Sequence, residues 1–261
     1  MRYILLILIL SHPYSLPAFE TGFSKEQKVL ITNISGVAAV TAWGVANWDY
    51  FQRSPSTTSE GWFDRNTKEG GADKLGHFYL SYTLSHLIEF QFSNWGYSEK
   101  RGALLGSISS FTIMNSMEIG DAFSDYGFSV EDFIMNGIGS AAAYLISSNP
   151  DLKKKIDFRV EYTPDFESID FFTDYENLKY LIALKLDGFD FITQDYLKYF
   201  ELHLGYYARG YSDQTDKERN IYIGVGINFS KILNDFSIGR ISKLTNYVQI
   251  PYTYLSIEKE Q

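Results

Sequence analysis

No cysteine occurs among the 261 residues. Its absence excludes disulfides, thiolate metal sites, cysteine nucleophiles and an acylated cysteine on this chain. Positive charge is scarce too: 23 Lys and Arg face 32 Asp and Glu, a net charge of −9. No basic stripe interrupts that balance, so nucleic acid is not an expected partner. Signatures readable from spacing alone are also missing. There is no nucleophile elbow, no phosphate loop and no His-x-x-x-His zinc pair. Arg101 is the only arginine between Arg65 and Arg159, so no guanidinium cluster is available to clamp a phosphate.

What remains is apolar and aromatic. Hydrophobic residues make up 45% and charged residues 21%, which argues against wholesale disorder. Aromatics reach 17%, with 20 Tyr and 20 Phe. Such an excess suits surfaces where a ring is half buried and half wet, membrane belts included. The length suits one large domain or two modest ones. At the N-terminus Arg2 precedes "YILLILIL" (3–10) and the polar exit "SHPYSLPA" (11–18). Eight apolar residues are too few to cross a bilayer, which takes about 20. Residues 1–18 therefore read as a signal peptide cleaved near Ala18, with an uncleaved anchor as the alternative.

Composition divides the rest in two. Residues 25–148 carry apolar segments of helical length, expected as four helices at about 25–50, 73–92, 99–122 and 130–147. Residues 157–261 carry short alternating runs, "YLIALKLDGF" (180–189), "YFELHLGYYARGY" (199–211) and "RNIYIGVGINF" (219–229), with the period of antiparallel strands. In the last run Ile221, Ile223, Val225 and Ile227 share one face, expected to be the buried one. "SDQTDKER" (212–219) reads as a hairpin connection. Pro150 is expected to stop the fourth helix, and Lys153, Lys154 and Lys155 to form a solvated link. The fold class that follows is α+β, a four-helix membrane-associated bundle followed by an antiparallel β region. Gly102, Gly106, Gly137 and Gly139 would let its helices approach closely, and the first helix is the best candidate for insertion.

Polar residues sit at helical spacing on these apolar segments. Asp73 and His77 are four apart beside Lys74. Asn115, Glu118 and Asp121 recur every three residues. Asp132 and Asn136 are four apart, and Gly139 continues their stripe. A lone buried carboxylate is costly, so these groups should converge or reach water. The economical arrangement is one network of Asp73, Lys74, His77, Asn115, Glu118, Asp121, Asp132, Asn136 and Gly139. Each also has a plainer reading. Asp73 can be an N-cap and Lys74 a solvated first-turn residue. His77 can be a hydrogen-bonded core histidine, and Asp121 a solvated loop residue. Asp132 can form a capping box with Ser129, and Asn136 can join helices.

"DKLGHF" followed by "NSMEIGDAFSDYGFSVEDFIMNGIGSAAAYL" resembles the YfiM-like group of predicted periplasmic lipoproteins, a family without an assigned function. It is more distantly similar to VanZ-like membrane proteins. The similarity spans about residues 70–147, and its matching positions are Asp73, Lys74, His77, Glu118, Asp132, Asn136 and Gly139. The lack of cysteine departs from a lipoprotein. The resemblance implies an exported, periplasmic or outer-membrane-associated helical protein and no chemistry.

Three functions are open on this reading. The first is a structural or interaction role, with the polar network pinning the helices and the β region facing lipid or an envelope partner. The second is a hydrolase or metal-dependent enzyme acting on a lipid head group or cell-wall precursor. Its candidate catalytic residues are His77, Glu118 and Asp132. The third is binding or transport of a small lipid. No cofactor is expected in the first case, and a divalent metal at His77, Glu118 and Asp132 is the alternative.

Overall fold

A computed structural model describes residues 22–163, 173–212 and 216–260; the signal segment expected at 1–18 lies outside them. The fold is α+β, with seven helices and a five-stranded antiparallel sheet among the described residues.

Four long helices come first. Helix α1 (Lys25–Asn47) opens on a capping box, in which Gln27 N donates to Ser24 Oγ (3.3 Å) and Ser24 N to Gln27 Oε1 (2.8 Å). Helix α2 (Ala72–Asn94), helix α3 (Glu99–Asp121) and helix α4 (Val130–Ser148) follow. α2 lies against both α3 and α4, and α1 against α3. Two-residue strands β1 (Thr57–Thr58) and β2 (Phe128–Ser129) pair in parallel. They tie the loop before α2 to the start of α4.

α4 ends before Pro150 as expected, and Lys153 and Lys154 are exposed, but Pro150 does not open an irregular link. It starts a short helix, α5 (Pro150–Lys155), capped by Asn149 Oδ1, which accepts from Asp151 N (3.0 Å) and Leu152 N (3.3 Å). Proline at the first helical position costs nothing, because that amide has no helical partner anyway. The three lysines form its last turn, where they complement the helix dipole. Lys155 also pairs with Asp151 at 2.6 Å.

The sheet is a meander of β3 (Ile156–Tyr162), β4 (Leu178–Lys185), β5 (Phe200–Arg209), β6 (Glu218–Ile227) and β7 (Tyr254–Glu260). β5 and β6 form the expected hairpin, in register from Phe200 opposite Ile227 to Arg209 opposite Glu218. Between β6 and β7 stand two short helices, α6 (Phe229–Asp235) and α7 (Gly239–Leu244). The chain then passes along the outer edge of β3. Val160 N donates to Tyr247 O (3.0 Å) and Gln249 N to Val160 O (2.9 Å).

The sheet corrects one expectation. Ile221, Ile223, Val225 and Ile227 face outward, with Ile223 67% exposed. The opposite face, with Asn220 and Tyr222, is buried. Alternation separates two faces but does not say which faces inward. Here the polar face is closed over an ion-paired interior. Arg159 bonds Glu201 (2.5 and 3.0 Å), Asp157 (2.9 Å) and Gln249 (3.1 Å), and His203 bonds Glu201 (2.8 Å).

The apolar face meets the helices over β3 and β4. Phe158 packs edge-on to Phe78 (4.8 Å) and Tyr82 (5.2 Å). Tyr79 joins Val160, Leu178, Tyr180 and Ala208 in a shared core, and its hydroxyl donates to Tyr247 O (2.8 Å). Each such aromatic contributes about 1.5–3 kcal/mol of burial. α2 is thus held on three sides, by α3, α4 and the sheet.

Candidate functional site

The site gathers at the N-terminal half of α2. Gly71 precedes that helix at φ 89°, and a Cβ there would lie 2.9 Å from Trp62 O, so glycine is required for the turn. The expected N-cap role of Asp73 is therefore taken by Gly71, and Asp73 is the second residue of the helix. Lys74 is not solvated but 1% exposed. Its ammonium contacts Asp73 (2.8 Å), Asp132 Oδ1 (2.9 Å) and, closest, Glu60. Ser129 caps α4, accepting from Asp132 N (3.2 Å), while the Asp132 carboxylate turns to Lys74.

His77 stands one turn further on. Its Nδ1 is 3.3 Å from Asn136 Oδ1 and 3.5 Å from Glu118 Oε1, and its Nε2 is 3.8 Å from Asp132 Oδ1. A chain of hydrogen bonds fixes its tautomer. Asn115 Nδ2 donates to Phe111 O (2.8 Å), which leaves Asn115 Oδ1 to accept from Asn136 Nδ2 (3.3 Å). Asn136 Oδ1 is then an acceptor, taking Ser81 Oγ–H (2.9 Å) and the His77 Nδ1 proton. A carbonyl can only accept, so the sequence of donors has one direction. In neutral His77 the lone pair is on Nε2, the side nearer Asp132.

Backbone approach makes this geometry possible. A Cβ on Gly139 would lie 2.2 Å from Phe78 O, and one on Gly106 2.7 Å from Ser85 O. α4 and α3 thereby come close enough to α2 for short side chains to meet across them.

The site holds more acid than base. Glu60, Asp73, Glu118, Asp121 and Asp132 surround Lys74 and His77. Burial, reinforced by Asp132, Asp121 and Glu60, pushes the Glu118 carboxyl up to about 9. Burial also raises Asp121 to about 7, against the Tyr50 hydroxyl beside it. Asp132 is raised by burial despite His77 and Lys74. Glu60 is held low because Lys74 outweighs its burial. His77, Glu118 and Asp132 each offer a ligand atom within 4.8 Å of the others, as do Glu60, Asp73 and Asp132. An imidazole of fixed tautomer beside buried carboxyls can hold a proton or a cation.

Of the residues singled out by sequence, Asp73, Lys74, His77, Asn115, Glu118, Asp132 and Asn136 come together. Asp121 is half-buried at the rim, at the end of α3. Gly139 contributes close approach and no polar contact. Glu60 was missed, since it lies in a loop without periodicity. Ser81 was also missed, although it is four residues beyond His77 and so visible by spacing.

Two further polar groups lie outside this cluster. His86 Nδ1 lies 3.2 Å from Glu89 and 3.1 Å from Ser147 Oγ. The second is the interior of the sheet, where Glu201 and His203 are two apart on one strand and hence share a face.

Residues 59–148 match the family described as predicted periplasmic lipoprotein (DUF2279). The matched segment runs from the Glu60 loop to the end of α4. It includes every residue of the site and neither α1 nor the sheet. No curated protein and no solved structure matches the chain. The family's description places the chain among exported, periplasmic or envelope-associated proteins.

Proposed function

We propose that this is a membrane-associated protein of the bacterial cell envelope, akin to the YfiM-like group. In this reading the polar cluster pins α2, α3 and α4 into one packing, and the two compositional regions, 25–148 and 157–261, act as bundle and β domain. One observation carries the proposal: the distribution of polarity is inverted. Ser81, Ser85, Ser107, Ser109, Ser110, Asn115 and Asn136 are buried between the helices, while Leu30, Ile34, Trp43, Phe90, Ile108, Ile119, Ile138 and Leu145 are exposed. The sheet repeats this, with Arg159, Glu201 and His203 inside and Leu204, Ile223, Val225, Leu255 and Ile257 outside.

Water rewards the opposite arrangement, because each exposed aliphatic forfeits about 25 cal/mol per Å² of burial. A hydrocarbon exterior removes that cost and favours small and polar residues between helices. α1 is the only helix among the described residues long and apolar enough to cross a bilayer, and 6% of its apolar window is buried. Lipid is thus the first expected partner, and the outward aliphatics of β5–β7 form a second contact surface.

The test is fractionation of the full chain in a bacterial host, with carbonate washing and flotation on phosphatidylethanolamine–phosphatidylglycerol vesicles. The protein is expected to stay with the membrane after carbonate and to float. Quantitative release into the soluble pool overturns the proposal.

A further inference from the structure

We propose that His77, Glu118 and Asp132 form a binding site for one divalent transition-metal ion of the zinc class. This goes beyond the membrane reading and does not depend on it.

Four observations support the site. The three ligands arrive from three different helices, α2, α3 and α4, and one donor atom from each lies within 4.8 Å of the others. Ligands about 2.0–2.2 Å from one ion are about 3–4 Å apart, so only a small contraction is needed. The 3.8 Å between His77 Nε2 and Asp132 Oδ1 is too long for a hydrogen bond and right for two ligands of one ion.

The second observation is the orientation of His77. Its Nδ1 proton is held by Asn136 Oδ1, itself fixed by Ser81 and Asn115. Metal-binding imidazoles are held this way, with one nitrogen bonded to a fixed acceptor; here Nε2 offers its lone pair on the Asp132 side, and Glu118 Oε1, 3.5 Å from Nδ1, must turn toward Nε2 to share the ion.

The third is Glu118, which is 1% exposed and whose Oε1 makes no hydrogen bond. An unsatisfied oxygen on a buried carboxyl is costly, and a cation beside it would relieve that cost.

The fourth is charge. Five carboxyl groups surround one ammonium, and Lys74 is already shared among Glu60, Asp73 and Asp132. Asp132 Oδ1 has a second lone pair beyond the one facing Lys74. One imidazole and two carboxylates is a donor set for zinc or manganese, whereas magnesium prefers oxygen and water alone.

The test uses the full chain, stripped with chelator and titrated calorimetrically with zinc chloride, with magnesium chloride as control. The expected result is one zinc per chain, bound at least about tenfold more tightly than magnesium. Glu118→Gln and His77→Ala should each weaken zinc at least about tenfold, while Glu89→Gln in the separate His86 group leaves it unchanged. Should His77→Ala fail to fold, Glu118→Gln decides by melting temperature. Zinc should raise that of the wild type and leave that of the variant unmoved. Sub-stoichiometric zinc, or zinc bound undiminished by Glu118→Gln, overturns the site, and neither result bears on the membrane fractionation.

Discussion

Replacing Lys74 with methionine is the sharpest probe of the polar cluster. The side chain is 1% exposed and contacts three carboxylates. With an effective dielectric near 20, the attraction to Asp132 alone, at 2.9 Å, is on the order of 6 kcal/mol. Desolvation of the ammonium and its partners cancels much of this, so the net value of the cluster is small. Removing one partner is different. The carboxylates then stay buried without their cation, and such losses run to about 3–5 kcal/mol. Methionine keeps the volume, so little cavity cost is added. For a chain of this size, about 2–4 °C follows each kcal/mol, and Lys74→Met should lower the melting temperature by roughly 6–20 °C. The assay is thermal unfolding of the full chain followed by helical circular dichroism, at one scan rate and one detergent concentration. Adding Asp132→Asn should recover part of the loss, because it removes an uncompensated charge. A shift within about 2 °C for Lys74→Met, the size expected for a surface lysine, would refute the convergence of these residues.

Other perturbations test separate parts of the molecule. Gly139→Ala places a Cβ 2.2 Å from Phe78 O; backbone cannot yield as a flexible side chain does, so a loss of about 1–3 kcal/mol is expected in thermal unfolding. Burial alone would raise Glu201, but the hydrogen bond from His203 and the Arg159 guanidinium hold its carboxyl below the ordinary range. Its stabilisation is therefore full above the unfolded value and lost as pH falls through the folded one, so melting temperature should drop on acidification below about pH 4.5. Glu201→Gln should flatten that limb of the pH profile. Ile223→Lys should reduce vesicle flotation if the proposed lipid contact holds, since a lysine on a lipid-facing strand costs up to about 2–4 kcal/mol. The same variant should change stability in detergent by less than about 0.5 kcal/mol.

Helical spacing carried much of the site. Asp73, His77, Glu118, Asp132 and Asn136 could be placed on faces because a helix repeats every 3.6 residues and a polar group on an apolar face is conspicuous. Glu60 could not, because the β1–β2 pairing that brings its loop to Lys74 involves two residues on each side and leaves no pattern. The sequence leaves Lys74 open as a member of the network or as a solvated first-turn residue. Nothing local in the chain says that Glu60 and Asp132 will close over it. The runs that became β4, β5 and β6 alternate cleanly. β3, "IDFRVEY", alternates charged with apolar residues, and β7, "YLSIEKE", ends in three consecutive charged residues, so neither offers the apolar run that marks β4, β5 and β6. Pro150 does end α4, a local effect legible in the chain, whereas its start of α5 depends on the cap supplied by Asn149.

The membrane proposal gives the reversal of β6 and the polar seams of the helices one explanation. Periodicity in a sequence divides an element into two faces, and the choice between them is made by whatever surrounds the element. Assigning Ile221, Ile223, Val225 and Ile227 to the interior assumes water outside. With water outside, Tyr222 and Asn220 would be exposed and the aliphatics covered. Instead the polar face of the sheet encloses Arg159, Glu201, His203 and Gln249, with Glu201 bonded to both Arg159 and His203. The helices likewise enclose Ser81, Asn115 and Asn136. Strands β5–β7 and the helices, elements of different period, both leave aliphatics outside, on either side of a shared core at Phe78, Tyr82 and Phe158. The apolar exterior proposed above would account for both choices at once. On that proposal a charge on the outer face would find little hydration, which favours gathering the acids around Lys74 and His77.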